Sequence, residues 1–272
     1  MDIARVLDHV RADNGPWQDV RWLASVGSTN AAAAKDPRPW TALIAGEQTA
    51  GRGRLDRGWV TEAGHGLAIS AVLPSVTDPG WLPLLAGWAV REAVKVVTGI
   101  ETALKWPNDV IAVGAGPDGE DGKLAGILCQ AVPETIIVGV GLNITSAEAG
   151  APAPMAVSLT DLGAPDLDQE LLVAELLNGL TRVHSSLVCA DGREPDLADA
   201  YRAGCATIGR QVLIHRPGNV RQAVSVLDVD QYGHLCGLDE FSHEVSFAAG
   251  DIVHVRPAPA QPSLHPGKGG YA

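Results

Sequence analysis

An α+β fold with a small β-barrel behind it is the architecture this sequence predicts, and three observations carry that expectation. Strand-like and helix-period segments alternate irregularly between residues 40 and 204. After Gly204 only short alternating segments remain, and from Ala258 onward Pro and Gly dominate with almost nothing to bury.

The elements follow in order. "WTALIAG" (40–46), "LAISAVL" (67–73), "TALKW" (102–106), "DVIAV" (109–113), "LAGILCQAV" (124–132) and "IIVGVGLNI" (136–144) read as short strands bounded by Gly, Pro and Asp. "LPLLAGWAVREAVKVV" (82–97) has helical periodicity, with Leu85, Trp88 or Ala89, and Glu92 to Val96 separating core from solvent faces. In "DQELLVAELLNGLTRVHSSLV" (168–188), Leu172, Leu176, Leu180, Val183 and Leu187 form one apolar stripe at steps of three and four. A shorter helix starts at Pro195, a good first-turn residue, and ends near Gly204. "QVLIHR", "QAVSVLDVD", "HLCGL", "EVSF" and "IVHVR" then alternate between turn signals, Pro217-Gly218-Asn219 and Tyr232-Gly233-His234 among them. The stretch 114–122, "GAGPDGEDG", reads as a flexible hairpin tip. The expected units are 1–206, 207–257 for the barrel, and a disordered tail over 258–272.

Totals narrow the function classes. At 272 residues the chain exceeds a typical domain of roughly 100–200 residues. No run of about 18 apolar residues suggests a membrane span, and the charged start MDIARVLDHVRADNG argues against a secretory signal. Cys129, Cys189, Cys205 and Cys236 lie far apart, as buried thiols of a reducing compartment do, so the cytoplasm is expected. Twenty basic against 32 acidic residues give −12, which disfavours general binding to phosphate backbones. The split is uneven: residues 1–60 carry 8 Lys and Arg against 7 Asp and Glu (net +1), and the remainder 12 against 25 (net −13). A local arginine cluster in that background suits one small anionic ligand.

That cluster is "GEQTAGRGRLDRGW" (46–59). Glycines let backbone approach an anion, and arginine's planar donors match phosphate or carboxylate oxygens. The Lys-Ser/Thr of a P-loop and the third glycine of a Rossmann turn are both missing, so pattern alone leaves an exposed basic loop equally open. Four other segments stand out. "SVGSTN" brings Ser28, Thr29 and Asn30 before an alanine run, where each can cap a helix and the helix start can also face a ligand. "LKWPNDV" offers Lys105 and Asn108 in what is otherwise a Pro-Asn-Asp turn. "GKLAGIL" sets Lys123 at the head of an apolar strand, where a lysine ordinarily snorkels to solvent. "VGVGLN" ends a strand on Asn143, with Gly139 and Gly141 reading as close packing or close ligand approach.

Together, in this order, the five motifs resemble those of the biotin protein ligases, also called biotin–[acetyl-CoA-carboxylase] ligases. The resemblance spans residues 28–143 and continues more loosely to about Pro257. It implies a mixed-sheet catalytic domain of the biotin/lipoate ligase type with a C-terminal SH3-like barrel. It also implies two steps: biotin and ATP form biotinyl-5′-AMP and pyrophosphate, then a lysine of the biotin carboxyl carrier domain attacks that mixed anhydride. Neither step needs an enzyme nucleophile, and no G-x-S-x-G elbow is present.

Carried over by position, Ser28, Thr29, Asn30, Gln48 and Gly126 border the biotin pocket. Arg52, Gly53 and Arg54 form the ligand-binding loop, with Arg52 at the carboxylate and α-phosphate and Arg54 retaining the intermediate. Trp59 covers the adenine, Lys105 and Asn108 serve ATP, Asn143 serves the nucleotide phosphates, and Lys123 meets both the biotin carboxylate and the phosphate. Arg52, Arg54 and Lys123 are thus the expected catalytic set. Magnesium is implied through ATP phosphates, with no protein ligand assigned.

The chain departs from relatives reading Arg-Arg-Gly-Arg in having Arg54-Leu55-Asp56-Arg57, which adds a carboxylate beside the phosphate site. His65, in "AGHGLAIS", reads as a surface-loop histidine. Only 27 residues precede Ser28, too few for a winged helix, so a ligase without DNA-binding activity is expected. Lipoate ligases and octanoyltransferases share the implied fold, but Gly-Arg-Gly-Arg coupled to Lys-Trp-Pro-Asn belongs to the biotin branch. A non-catalytic biotin sensor could dispense with Lys123 and Arg52.

Overall fold

The computed structural model describes residues 1–12, 15–54, 57–146, 155–188, 195–216, 220–248 and 251–254. Asp56, Cys189, the turn Pro217-Gly218-Asn219 and the tail 258–272 lie outside the described residues. The chain runs α1 (Ile3–Ala12), β1 (Asp19–Leu23), α2 (Thr29–Ala33), β2 (Thr41–Ala45), β3 (Gln48–Arg52), β4 (Gly58–Thr61), β5 (Gly66–Pro74) and α3 (Leu82–Thr98). It continues through β6 (Ala103–Lys105), β7 (Asp109–Ala112), β8 (Gly122–Val132), β9 (Thr135–Asn143), α4 (Gln169–Val188) and α5 (Pro195–Gly204). Last come β10 (Gln211–Arg216), β11 (Val220–Val229), β12 (Leu235–Asp239), β13 (Glu244–Phe247) and β14 (Asp251–His254).

Seven strands form one sheet in the order β1-β2-β5-β9-β8-β7-β6. β1 and β2 run parallel and the other pairs antiparallel, which makes the sheet mixed, as expected. Alternation along the strands gives its two faces different jobs. Leu67, Ile69, Ala71 and Leu73 of β5, with Val138, Val140 and Leu142 of β9, join the core under α1, α3 and α4. The opposite face carries Gly139 and Gly141 at the site, and beyond them Val72 and Ile137 pack with Ala33 of α2 in a small second core. On the helical side Gly179 lets α4 cross α3 closely, since a Cβ there would stand 2.9 Å from the Ala89 Cβ. α3 ends on Gly99 at φ 73, the left-handed cap that glycine adopts without strain.

His184 of α4 is buried, edge-on to Trp40 at 4.9 Å between ring centroids. Burial pushes its imidazole below the ordinary histidine range, against an opposing hydrogen bond with the Pro74 backbone. The folded state therefore holds it neutral, while the unfolded chain takes up a proton near pH ~6.5. Its contribution is complete above that value and is lost as pH falls through the lower folded pKa. Thermal melts of the wild type should therefore lose more on going from neutral to mildly acidic pH than those of His184→Gln. Equal losses would remove His184 from the acid response.

β10 to β14 form a second, wholly antiparallel sheet in the order β13-β12-β11-β10-β14. It is the expected C-terminal β unit, packed on Val212, Ile214, Val224, Val226, Leu235 and Phe247, and these side chains run on into the main core. The sheet is consistent with the expected SH3-like unit, and among the described residues β13 and β14 are its two edge strands. A bulge between Val226 and Asp228 shifts the β11–β12 register and bends the sheet. The 114–122 tip, expected to be flexible, is braced. Asp121 accepts the Gly114 N–H and pairs with Arg210 at 2.7 Å. Among the described residues no helix is long and apolar enough to cross a membrane.

Candidate active site

The basic segment 46–59 builds a structure of its own. β3 and β4 pair as a two-stranded hairpin over the large sheet, with the turn closed by Gly53 N–H to Arg57 O at 2.6 Å. Arg52 and Arg54 thus sit on and beside a hairpin arm, where sequence reasoning expected a plain loop. Gly51 is required here: a Cβ would stand 2.0 Å from Gln48 Nε2 and 2.2 Å from Trp59 O.

Below the hairpin lies a floor made of glycine. Gly126, Gly141 and Ala68 are register partners across β8, β9 and β5, and Leu128, Gly139 and Ser70 form the next row. The Trp59 indole rests on this floor, so that a Cβ on Gly141 would meet it at 2.2 Å and one on Gly126 at 2.9 Å. The glycines of "VGVGLN" and "KLAGIL" therefore keep the sheet flat enough for a planar group to lie against it.

One end of the floor is polar. Ser28 caps α2, accepting the Ala31 N–H at 3.3 Å. Thr29 donates through both N–H and Oγ1 to Gln48 Oε1, at 2.9 and 3.1 Å. Gln48 Nε2 in turn donates to Trp59 O at 3.3 Å. Asn30, buried, donates to Leu128 O and accepts from Ser70 Oγ at 2.5 Å. The other end is charged. Lys123 Nζ lies 2.6 Å from Asp109 Oδ1 and 5.3 Å from the Trp59 ring centroid, so the amine stands between a carboxylate and an indole. Asn108 clamps β8 by donating to Ile127 O at 2.9 Å, and its Oδ1 meets Arg54 at 3.5 Å.

The hairpin arm, the glycine floor and both ends line one cavity of about 950 Å³, with Ser70 behind Asn30 and outside the lining. Its walls carry Arg52, Arg54, Arg57, Lys105 and Lys123 against two carboxylates, Asp109 and Asp121, so a chain of net charge −12 concentrates cations here. Ser28, Thr29, Asn30, Gln48, Gly53, Trp59, Asn108 and Gly126 are in the same lining. Asn143 is not. Its amide donates to Lys123 O and Val157 O, both at 3.1 Å, which ties down the backbone of the lysine. His65 also lies outside, with Nδ1 3.1 Å from Ser146 O. Sequence reasoning missed Asp109 as the lysine's partner. A register shift between Val110 and Ile111 brings the two together, and no spacing rule reveals such a shift. Among the described residues no group of three His, Cys, Asp or Glu is placed to hold a metal.

Comparison with known proteins agrees with this geometry. Residues 26–144 match the biotin/lipoate A/B protein ligase family model. The chain is 37% identical over 268 residues to the biotin–[acetyl-CoA-carboxylase] ligase of Mycobacterium tuberculosis, covering 94% of this chain and 96% of that protein. It is 32% identical over 149 residues to the bifunctional ligase/repressor BirA of Bacillus subtilis, covering 50% and 43%. Its fold superposes on a biotin protein ligase from Aquifex aeolicus in complex with biotin and ATP with a TM-score of 0.73 at 25% identity, covering 89% and 100%.

Proposed function

Because the chain belongs to the biotin/lipoate A/B protein ligase family, we propose that its cavity joins biotin to ATP and passes the biotinyl group to a carrier lysine. A carboxylate oxygen of biotin attacks the α-phosphorus, the bond to pyrophosphate breaks, and biotinyl-5′-AMP remains. The ε-amine of the carrier lysine then attacks the acyl carbon. The bond to the phosphate oxygen breaks, AMP leaves, and the amine releases its proton to solvent. Both nucleophiles come from substrates, so the protein's task is orientation and relief of negative charge.

The observation that carries this reading is the Lys123 ammonium, held by Asp109 above a glycine floor and faced by Arg54 across Asn108. Two anions that repel each other can meet there only beside fixed positive charge. The polar end of Ser28, Thr29, Asn30 and Gln48 suits the ureido ring, whose N–H and C=O groups need partners. A lipoyl dithiolane offers no such groups, so the pocket favours biotin. In this reading Trp59 moves from the floor to cover the adenine, Lys105 and Asn108 take the triphosphate, and Arg52 takes the carboxylate and α-phosphate. Asn143 acts through the backbone of Lys123. Magnesium arrives with ATP, bound chiefly to phosphate oxygens and water, and is assigned no protein ligand.

The carrier is the biotin carboxyl carrier domain of an acyl-CoA carboxylase, by likeness to the mycobacterial relative. Residues 1–206 form the catalytic unit and 207–257 the C-terminal one. A cytoplasmic setting suits ATP chemistry and the thiols: burial pushes Cys129 up to about 12, which leaves it inert at neutral pH. The test is the full chain with ATP, magnesium and a purified carrier domain. Biotin should add one biotinyl mass to the carrier and lipoate none. An unmodified carrier, or equal transfer of lipoate, contradicts the reading.

A further inference from the structure

Two turns of the C-terminal sheet share one design. Asp230-Gln231-Tyr232-Gly233-His234 joins β11 to β12, and Asp239-Glu240-Phe241-Ser242-His243 joins β12 to β13. In the first, Asp230 Oδ1 accepts the N–H groups of Tyr232 and His234 at 2.8 and 2.9 Å. In the second, Asp239 Oδ1 accepts those of Phe241 and His243, both at 2.9 Å. Each histidine Nδ1 lies 3.5 Å from its aspartate, and Gly233 and Ser242 both take a left-handed φ, 83 and 64. The two turns are alike in build and differ in what they meet.

The second turn faces solvent, with Phe241 71% exposed. The first is gripped through its carbonyls. Arg202 Nε donates to Val229 O, Trp81 Nε1 to Gln231 O and Trp106 Nε1 to Gly233 O, each at 3.0 Å. Contact is backbone to backbone, since a Cβ on Gly80 would stand 2.3 Å from Tyr232 O. Among the described residues no side chain outside the twin turn donates to its carbonyls, yet it keeps the same shape, so the grip serves the residues doing the holding.

Among those, Trp106 leads to the cavity. It is 1% exposed, and its backbone N–H donates to Thr207 Oγ1 at 3.1 Å. Leu104 O next door accepts the Ala206 N–H at 2.8 Å. On the far side, Ile127 N–H donates to Asn108 O at 2.8 Å. The segment Lys105–Asp109 is thus slung between the C-terminal sheet and β8. We propose that Thr207 and the 229–233 turn are positioning elements of adenylate formation, setting Lys105, Asn108 and Asp109 against Lys123 and Arg54 through Trp106. This inference rests on the proposed function and assigns the C-terminal sheet a part in the ATP side of the site. The biotin side stands apart: Ser28, Thr29, Asn30 and Gln48 are held by one another and by Ser70, Leu128 and Trp59, none of them in the C-terminal sheet.

The test is steady-state pyrophosphate release, with the carrier domain present so that the site turns over, by the full chain and three variants at the joint. Trp106→Phe keeps a smaller aromatic ring and loses the indole N–H; Thr207→Val keeps the volume and loses the hydroxyl; Thr207→Ser restores it. With one hydrogen bond lost, the KM for ATP should rise by roughly tenfold in the first two variants, while the KM for biotin stays within about twofold. Thr207→Ser should recover the wild-type values, and Phe241→Ala, in the twin turn, should change nothing. Wild-type constants in both Trp106→Phe and Thr207→Val would overturn the inference and leave the function standing. So would parallel changes in both KM values, which is what general loosening produces. A wild type that releases no pyrophosphate would overturn the functional reading itself and this inference with it.

Discussion

Lys123→Ala should slow adenylate formation by about 10³-fold, the scale of losing a charge aimed at the reacting oxygens. Lys123 Nζ is the cation that Asp109 holds in place, at 2.6 Å, and its removal acts twice. The approaching carboxylate and phosphate lose their neutralising partner, and Asp109, largely buried, is left as a third anion facing them. The double variant Lys123→Ala, Asp109→Asn should therefore recover part of the loss. Folding should survive, because the lysine side chain is 32% exposed and its removal opens onto the cavity. Single-turnover release of pyrophosphate measures the step directly, and a rate near wild type would refute the role of Lys123.

Arg54→Gly should shorten the lifetime of bound biotinyl-5′-AMP by roughly 10–100-fold, the worth of one charge-assisted hydrogen bond. Its guanidinium meets Asn108 Oδ1 at 3.5 Å and lines the cavity beside the proposed phosphate position, where it can donate to the intermediate. The consequence reaches beyond rate. A mixed anhydride that escapes reacts with any accessible amine, so lysines on bystander proteins should become labelled. Labelling that stays confined to the carrier domain would show that Arg54 does other work.

The elements that sequence patterning reads are those whose apolar spacing is undiluted. α4 keeps Leu172, Leu176, Leu180 and Val183 on one buried stripe, and β5 and β9 are nearly continuous apolar runs bounded by turn residues. α1 carries a helical stripe as well, Ile3, Val6, Leu7 and Val10 with Arg5, Asp8 and His9 opposite, but its ten residues fall short of the roughly 11–18-residue window in which periodicity is read. β1 escapes because a five-residue strand, DVRWL, at the edge of a sheet carries too little alternation to recognise. The β3–β4 hairpin is invisible for a different reason. Glycine favours neither strand nor helix and arginine favours helix, so nothing in the residue types announces a strand pair, which is held by Gln48, Trp59 and the close approach that Gly51 permits.

Within the site, residue types were legible and their geometry was not. Motif order marks Thr29, Gln48, Arg54, Asn108 and Lys123, and the fold gathers them in one cavity. What spacing cannot give is pairing across strands. Asp109 reaches Lys123 through a register shift, Asn143 turns to backbone carbonyls, and Trp106 reaches a turn 127 residues further along.

The central claim is that a lysine-centred cluster of positive charge brings a carboxylate and a phosphate together. Its most direct measurement uses the purified full chain with biotin, α-labelled ATP and magnesium, no carrier present, quenched and resolved by mass spectrometry. The account predicts biotinyl-5′-AMP near one equivalent per site, with pyrophosphate released in step. Intact ATP and biotin after many minutes, with both shown to bind, would contradict it.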